Sequence, residues 1–263
     1  MTLESQPDIL ASLVAEARLD LERRRALVST DELERAIHDY TPKDFAGALR
    51  RPGLSVIAEM KQRTPSMGVL TEDYRPAELA RAYTEGGAAA ISVLTHMAGF
   101  GGRPEHVQAA RLASDLPILR KDFITDPYEV GEARAAGADA VLLIVAALEP
   151  AALKQMLAVV RSRGLSALVE IHDEIEAASA VESGAQAVGV NHRDLHTFEV
   201  DLRLTERLRP LIPDDVALVA ESGIHSVADA RRLREAGADA ILVGETLMRA
   251  PDVVGCLREL ASL

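Results

Sequence analysis

The sequence predicts an α/β fold, a (β/α)8 TIM barrel with an N-terminal helical extension. Three observations predict it. The phrase Gly-Ala followed by an apolar run occurs four times, beginning at Gly87, Gly137, Gly184 and Gly237, at steps of 50, 47 and 53 residues. Four more short apolar runs, 55–59, 117–121, 165–171 and 216–220, alternate with these. Amphipathic stretches of helical period separate all eight. Near-continuous apolar strands alternating with helices mean a parallel sheet covered on both faces. Eight units in roughly 210 residues fit a closed barrel. A doubly wound open sheet is the competing architecture, but it more often has fewer units and a Gly-rich first turn. No G-x-G-x-x-G follows the first strand here.

In chain order, residues 1–50 form the extension. Within it 9–27 reads as one amphipathic helix, and Ser29-Thr30-Asp31 caps a second over 32–39. The first strand, 55–59, opens the barrel. Helices are expected at 76–86, 104–114, 127–136, 149–163, 173–183, 201–209, 226–236 and 252–261. In each repeated phrase the glycine ends the preceding helix and the apolar run is the next buried strand. No low-complexity segment or interdomain linker interrupts this, so 1–263 reads as one barrel domain.

The chain has 48% hydrophobic and 27% charged residues, an ordinary globular composition. A net charge of −12 disfavours nonspecific binding to nucleic acid or anionic membrane. It leaves room for a small anionic substrate held by local cations. The longest apolar stretch, 140–148, is too short to cross a bilayer, and Glu4 and Asp8 argue against a secretory signal. Cys256 is the only cysteine, which excludes an intrachain disulfide and a multi-cysteine metal site. A cytoplasmic protein, monomeric or weakly homo-oligomeric, is expected.

Active sites of such barrels lie at the C-terminal ends of the strands. Only four of the 29 basic residues are lysine, and two of them, Lys61 and Lys121, sit at strand ends. An ammonium is compact and able to release a proton, which a guanidinium in effect is not. The first strand ends with Glu59 and Lys61, which share a face; the third ends Arg120-Lys121-Asp122-Phe123. The fifth ends Glu170-Ile171-His172, and the sixth Asn191-His192-Arg193. The fourth ends in apolar residues and offers no candidate. Two glutamates, two lysines and an asparagine at one rim exceed what an interior salt-bridge layer needs, and point to catalysis. Glu221-Ser222-Gly223 and Gly244-Glu245 end strands seven and eight, where backbone N–H groups often hold phosphate. Two nearby ammoniums should depress each other's pKa, moderated by the carboxylates between them. A metal site from His172, His192 and Asp122 is a weaker reading, because no H-x-H or H-E-x-x-H spacing occurs. Ser222 as a nucleophile lacks a G-x-S-x-G elbow. A Schiff base on Lys121 or Lys61 remains a competitor.

At these strand ends the chain resembles the indole-3-glycerol-phosphate synthase family of tryptophan biosynthesis. The resemblance rests on Val56-Ile57-Ala58-Glu59-Met60-Lys61 with Thr64-Pro65-Ser66, and on Pro117-Ile118-Leu119-Arg120-Lys121-Asp122-Phe123-Ile124. It continues through Leu168-Val169-Glu170-Ile171-His172, Val188-Gly189-Val190-Asn191 with Arg193-Asp194-Leu195, Ala220-Glu221-Ser222-Gly223-Ile224 and Val243-Gly244-Glu245. It spans about Ile9 to the C-terminus. The resemblance implies a carboxy-lyase that closes a ring on 1-(2-carboxyphenylamino)-1-deoxyribulose 5-phosphate, losing carbon dioxide and water, without cofactor or metal. It implies that Lys121 is the general acid on the sugar carbonyl, and that Lys61 holds the substrate carboxylate and shares proton transfer. Glu170 would act in the later dehydration, with Glu59 and Asn191 orienting the lysines and sugar hydroxyls. Ser222, counted with the catalytic group, would cradle the phosphate with Gly223, Gly244 and Glu245. Phe100 and Phe123 would line the aromatic pocket, Arg193 would support the anionic end, and Thr64 and Ser66 would join the substrate-binding set.

The chain departs from the family pattern at His96, where an acidic residue is common, and at Arg103, where serine is common. It departs again at His192, commonly a second asparagine, and at Met60, usually isoleucine. None of these is a catalytic position. They leave room for a duplicate copy serving a specialised pathway with the same reaction. Another phosphate-binding barrel isomerase or aldolase, and a non-catalytic paralogue binding a phosphorylated metabolite, are the alternatives.

Overall fold

The computed structural model describes residues 9–37, 40–65, 67–194, 197 and 199–263. Eight strands close into a barrel: β1 (Ser55–Met60), β2 (Ala90–Leu94), β3 (Ile118–Lys121), β4 (Ala140–Ile144), β5 (Ser166–Ile171), β6 (Ala187–Asn191), β7 (Ala217–Glu221) and β8 (Ala240–Val243). Each pairs in parallel with its neighbours in sequence, and β8 closes on β1 with Ser55 opposite Ala240.

The extension holds α1 (Ile9–Leu27), α2 (Thr30–Ala36) and α3 (Phe45–Leu49). After it come α4 (Pro76–Glu85), α5 (Met97–Phe100), α6 (Pro104–Ala113), α7 (Pro127–Ala135), α8 (Pro150–Ser162) and α9 (Glu174–Glu182). The last are α10 (Arg203–Leu208), α11 (Val227–Glu235), α12 (Glu245–Arg249) and α13 (Val253–Ala261). The eight expected barrel helices agree with α4, α6 to α11 and α13 within the residue or two by which helix ends fray. The second helix of the extension differs. It starts at Thr30 rather than 32 because Ser29 is its N-cap: Ser29 Oγ accepts from Glu32 N at 3.3 Å, and Glu32 Oε2 accepts from Ser29 N at 2.9 Å. It ends at Ala36; residues 38 and 39 of the expected span lie outside the described residues. Three short helices, α3, α5 and α12, and a small hairpin pairing Arg63–Thr64 with Gly68–Val69 have no counterpart in the sequence reading. Four or five residues are too few to display a helical period.

The repeated phrase does what its glycine suggests. Gly87, Gly137, Gly184 and Gly237 adopt φ of +87°, +90°, +81° and +93°, the left-handed backbone that stops a helix one residue past its cap. Each following strand begins with a fully buried alanine: Ala90, Ala140, Ala187 and Ala240. These four belong to the barrel interior, where Phe45 and Leu49 of α3 pack with them and close the floor. Leu10 and Val14 of α1 join the same interior cluster. The other end of α1 is fixed by Arg24, whose Nε donates to Glu132 Oε1 at 2.8 Å on α7. Outward strand residues such as Val56, Ala58 and Met60 pack beneath the helices in a second, larger cluster.

Candidate active site

Side chains alternate inward and outward along each strand, so parity decides what reaches the mouth. On β1, Ile57 faces the interior and so does Glu59; on β3, Leu119 and Lys121; on β5, Leu168 and Glu170. On β6 and β7 the same rule brings Asn191 and Glu221 inward. All five polar residues line one cavity at the strand ends, with Lys61 just beyond β1.

Lys121 is the centre of this group. Its Nζ lies 3.1 Å from Glu170 Oε2 and 3.1 Å from Glu221 Oε2. Glu170 Oε1 accepts from Asn191 Nδ2 at 3.1 Å. Lys61 Nζ donates to Glu59 Oε1 at 2.5 Å. Asn191 Oδ1 accepts from Ser222 Oγ at 2.8 Å and from Arg193 N at 3.1 Å, which ties the sixth and seventh strand ends together.

The electrostatics correct one expectation. Burial opposes the charge on Lys121, but Glu170, Glu221 and Glu59 outweigh it and raise its pKa above the ordinary lysine value. Lys121 does not show the depression expected from a second ammonium, because two carboxylates lie at contact distance from it. Burial pushes Glu170 towards its neutral acid, yet Lys121, His172 and the Asn191 hydrogen bond lower its pKa. For Glu221 burial wins: with Glu170 and Glu59 adding repulsion, its pKa rises to about 7 despite Lys121. The two carboxylates beside one ammonium are thus driven apart, one ionised and one poised near neutrality.

One side of the cavity is apolar. Ile9, Leu10 and Leu13 of α1 line it together with Phe100 and Phe123, and with Leu94 and Ile144 from β2 and β4. His96 organises this wall from behind. Its ring meets Phe123 edge-on at 5.1 Å and Phe100 at 6.4 Å, and its Nδ1 accepts from Gly99 N at 3.2 Å to cap α5. The family's common acidic residue could not make these ring contacts.

The opposite side is made of turns. Ser222 takes φ of +69°, a strained conformation for a residue with a side chain. Gly223, Gly244 and Glu245 border the cavity, as do Thr64 and Arg193. Thr64 Oγ1 accepts from Met67 N at 3.1 Å. Glu245 turns its carboxylate to Arg249 Nε at 3.4 Å, so its backbone is what it offers a ligand. Ser66 lies outside the described residues. Gly244 has a further reason to be glycine. A Cβ there would stand 2.4 Å from Glu59 Oε1 and 3.0 Å from Lys61 Nζ, so the glycine makes room for the Glu59–Lys61 ion pair.

Two residues of this site escaped sequence reasoning. Glu221 was visible only as the neighbour of Ser222, although the parity that turns Glu170 inward turns Glu221 inward as well. Gly189 carries a matching signal, since a Cβ there would meet Glu221 Oε1 at 2.0 Å. His96 had no signal beyond being a departure. The weaker metal reading gains no support from the geometry. Both ring nitrogens of His192 are engaged, Nδ1 with Ser222 O at 3.1 Å and Nε2 with Thr205 Oγ1 at 2.7 Å. Asp122 accepts from Arg120 and Thr95. Among the described residues no three His, Cys, Asp or Glu side chains are grouped to hold a metal ion. No helix among them is long and apolar enough to cross a membrane.

Comparisons with known proteins agree with the geometry. The family model described as indole-3-glycerol phosphate synthase matches residues 10–260. A Streptomyces coelicolor protein named indole-3-glycerol phosphate synthase 2 is 58% identical over 245 residues, covering 93% of this chain and 95% of its own. A Dehalococcoides mccartyi indole-3-glycerol phosphate synthase is 46% identical over 257 residues, covering 96% and 99%. Among solved structures, a thiamine phosphate pyrophosphorylase from Pyrococcus furiosus superposes with a TM-score of 0.63 at 21% identity, covering 83% of this chain and 96% of that one. At that identity the likeness is one of fold.

Proposed function

This chain belongs to the indole-3-glycerol phosphate synthase family, and from that premise we propose how its mouth residues share the work. The reaction is ring closure, decarboxylation and dehydration of 1-(2-carboxyphenylamino)-1-deoxyribulose 5-phosphate, giving indole-3-glycerol phosphate for tryptophan biosynthesis. The observation that carries the assignment is Lys121 held between Glu170 and Glu221 in a cavity lined by apolar side chains and by turns.

The carboxyphenyl ring lies along Phe100, Phe123 and α1, with its carboxylate towards Lys61. The phosphate meets the backbone of Ser222, Gly223 and Gly244. Lys121 donates a proton to the sugar carbonyl oxygen as the aromatic carbon bonds to the carbonyl carbon. The bond to the carboxylate then breaks, its electron pair restores the aromatic ring, and carbon dioxide leaves. In the last step Glu170 removes a carbon-bound proton while the new hydroxyl departs as water with a proton from a lysine. The carboxylates that keep Lys121 charged favour an acid over a Schiff-base nucleophile, which must be a neutral amine. Its single cysteine supports a cytosolic compartment, and we read the chain as a monomer or weak homo-oligomer.

Incubation with the carboxyphenylamino substrate tests the reading through indole fluorescence, against a background free of tryptophan. Product is expected without added cofactor. A lysine adduct trapped by borohydride, with no indole formed, would replace the synthase by an aldolase. Deletion that leaves cells able to make tryptophan would assign this copy to a specialised route with the same reaction.

A further inference from the structure

His172 follows β5 directly, is not among the residues that line the cavity, and has no part in the steps above. Glu176, in the first turn of α9, reaches back to it. Glu176 Oε2 accepts from the backbone N of His172 at 2.7 Å and lies 3.1 Å from its Nδ1. An ionised carboxylate only accepts, so Nδ1 carries a proton. The ring is then pinned with Nε2 towards Glu170, 3.5 Å from Oε1. That nitrogen is buried and has no hydrogen-bond partner. A lone pair there would oppose the carboxylate; a second proton would make the contact attractive. Glu170 Oε1 already accepts from Asn191, and Oε2 from Lys121. His172 therefore supplies the third cationic or N–H group around one carboxylate.

We propose that His172 is a positioning residue of the reaction: pinned by Glu176, its protonated ring keeps Glu170 ionised and aimed at Lys121 for the proton transfer of the dehydration. The proposal rests on the synthase reading and on Glu170 as the base. The groups facing the ring come from three elements: Glu170 on β5, Glu176 on α9 and Glu221 on β7. Burial disfavours the ring's charge, but the Glu176 hydrogen bond and these three carboxylates raise its pKa above the ordinary histidine value. Reciprocally, His172 is among the groups that lower Glu170.

The test is the pH profile of kcat for wild type, His172→Gln and Glu176→Gln, with the His172 ring titrated by NMR in parallel. Glutamine at 172 keeps an N–H donor but loses the charge. It should lose the alkaline limb and move the acid limb, set by Glu170, up by at least ~1 pH unit. KM should change little, because the ring does not reach the cavity. Glu176→Gln leaves the ring in place and should move the alkaline limb to lower pH. The ring itself should titrate above the ordinary ~6.5, and lower in Glu170→Gln. A His172→Gln enzyme whose kcat falls equally at every pH, with both limbs in place, overturns the proposal and leaves a packing role. A ring titrating at or below the ordinary value overturns it as well. If wild type forms no indole product, the synthase reading fails, and the ring titration still decides the His172–Glu170 contact.

Discussion

Arg120 and Lys121 are neighbours on one strand, face opposite ways, and each sits in its own buried cluster of carboxylates. The outer cluster is closed. Arg120 Nε donates to Thr95 Oγ1 at 3.2 Å, Nη2 to Asp122 Oδ2 at 3.3 Å, and Nη1 to Glu129 O at 3.2 Å and Glu132 Oε2 at 3.3 Å. Arg24 completes it from α1. The inner cluster is open on one side, towards the cavity, and is built on a point charge. A guanidinium fork suits the first task, because its donors hold several partners in fixed directions. An ammonium suits the second, because it moves its proton and turns towards a new partner. On the proposed mechanism the scarcity of lysine in this chain has a local meaning: adjacent residues of β3 would use the two cations for the two jobs.

Exchanging the two cations is the sharpest way to break the comparison. In Lys121→Arg the charge stays and the proton donor goes, so kcat should fall by at least ~10²-fold while thermal stability changes little. Near-normal turnover in steady-state assays would remove Lys121 from its role. The reverse change, Arg120→Lys, should leave turnover of the folded enzyme nearly intact but lower stability by about 3 kcal/mol, the scale for a broken buried network. Urea denaturation measures it, and equal losses of activity and stability would mean the two clusters are one.

Each cluster also holds a carboxylate raised to about 7, Glu129 outside and Glu221 inside. A carboxylate with a folded pKa of about 7 against an ordinary 4.5 binds a proton in the folded state that the unfolded chain has released. Its contribution to stability therefore falls as pH rises between those values. Glu221→Gln should become more stable relative to wild type from pH 5 to pH 8, by about 2 kcal/mol, and lose activity. A constant difference across that range, in parallel unfolding curves, would show Glu221 ionised throughout. The smallest effect is expected for Gly244→Ala. Its new methyl group would displace Glu59 and Lys61, so kcat should fall about tenfold along with any rise in KM. A change in KM alone would restore the simpler view of Gly244 as a phosphate turn only.

The sequence made the barrel legible because its signals are periodic: eight apolar runs, helical stretches between them, and four glycines that end helices. Lys61, Lys121, Glu59 and Glu170 were legible for a related reason, since charge at the end of an apolar strand stands out. Glu221 obeyed the same parity but was overshadowed by the Ser222-Gly223 turn that follows it. The Arg120 cluster was invisible, because apart from Asp122 its partners come from α1, the residue after β2, and α7, and only closure of the fold brings them together. His96 shows the limit most plainly. A departure from a family pattern says that something changed, and only the neighbouring rings say what the new residue does.

The alanine floor makes the repeat less modular than its spacing suggests. Ala90, Ala140, Ala187 and Ala240 come from four separate repeats, yet Phe45 and Leu49, which fill the space beside them, belong to none. Small residues without that plug would leave a void, which is costly in a close-packed interior. A hybrid barrel assembled from two related chains would therefore have to take α3 and all four alanines from one parent, although 41 to 195 positions of sequence separate parts of that set. For recombination, the heritable part is the plug with its socket rather than the quarter-barrel.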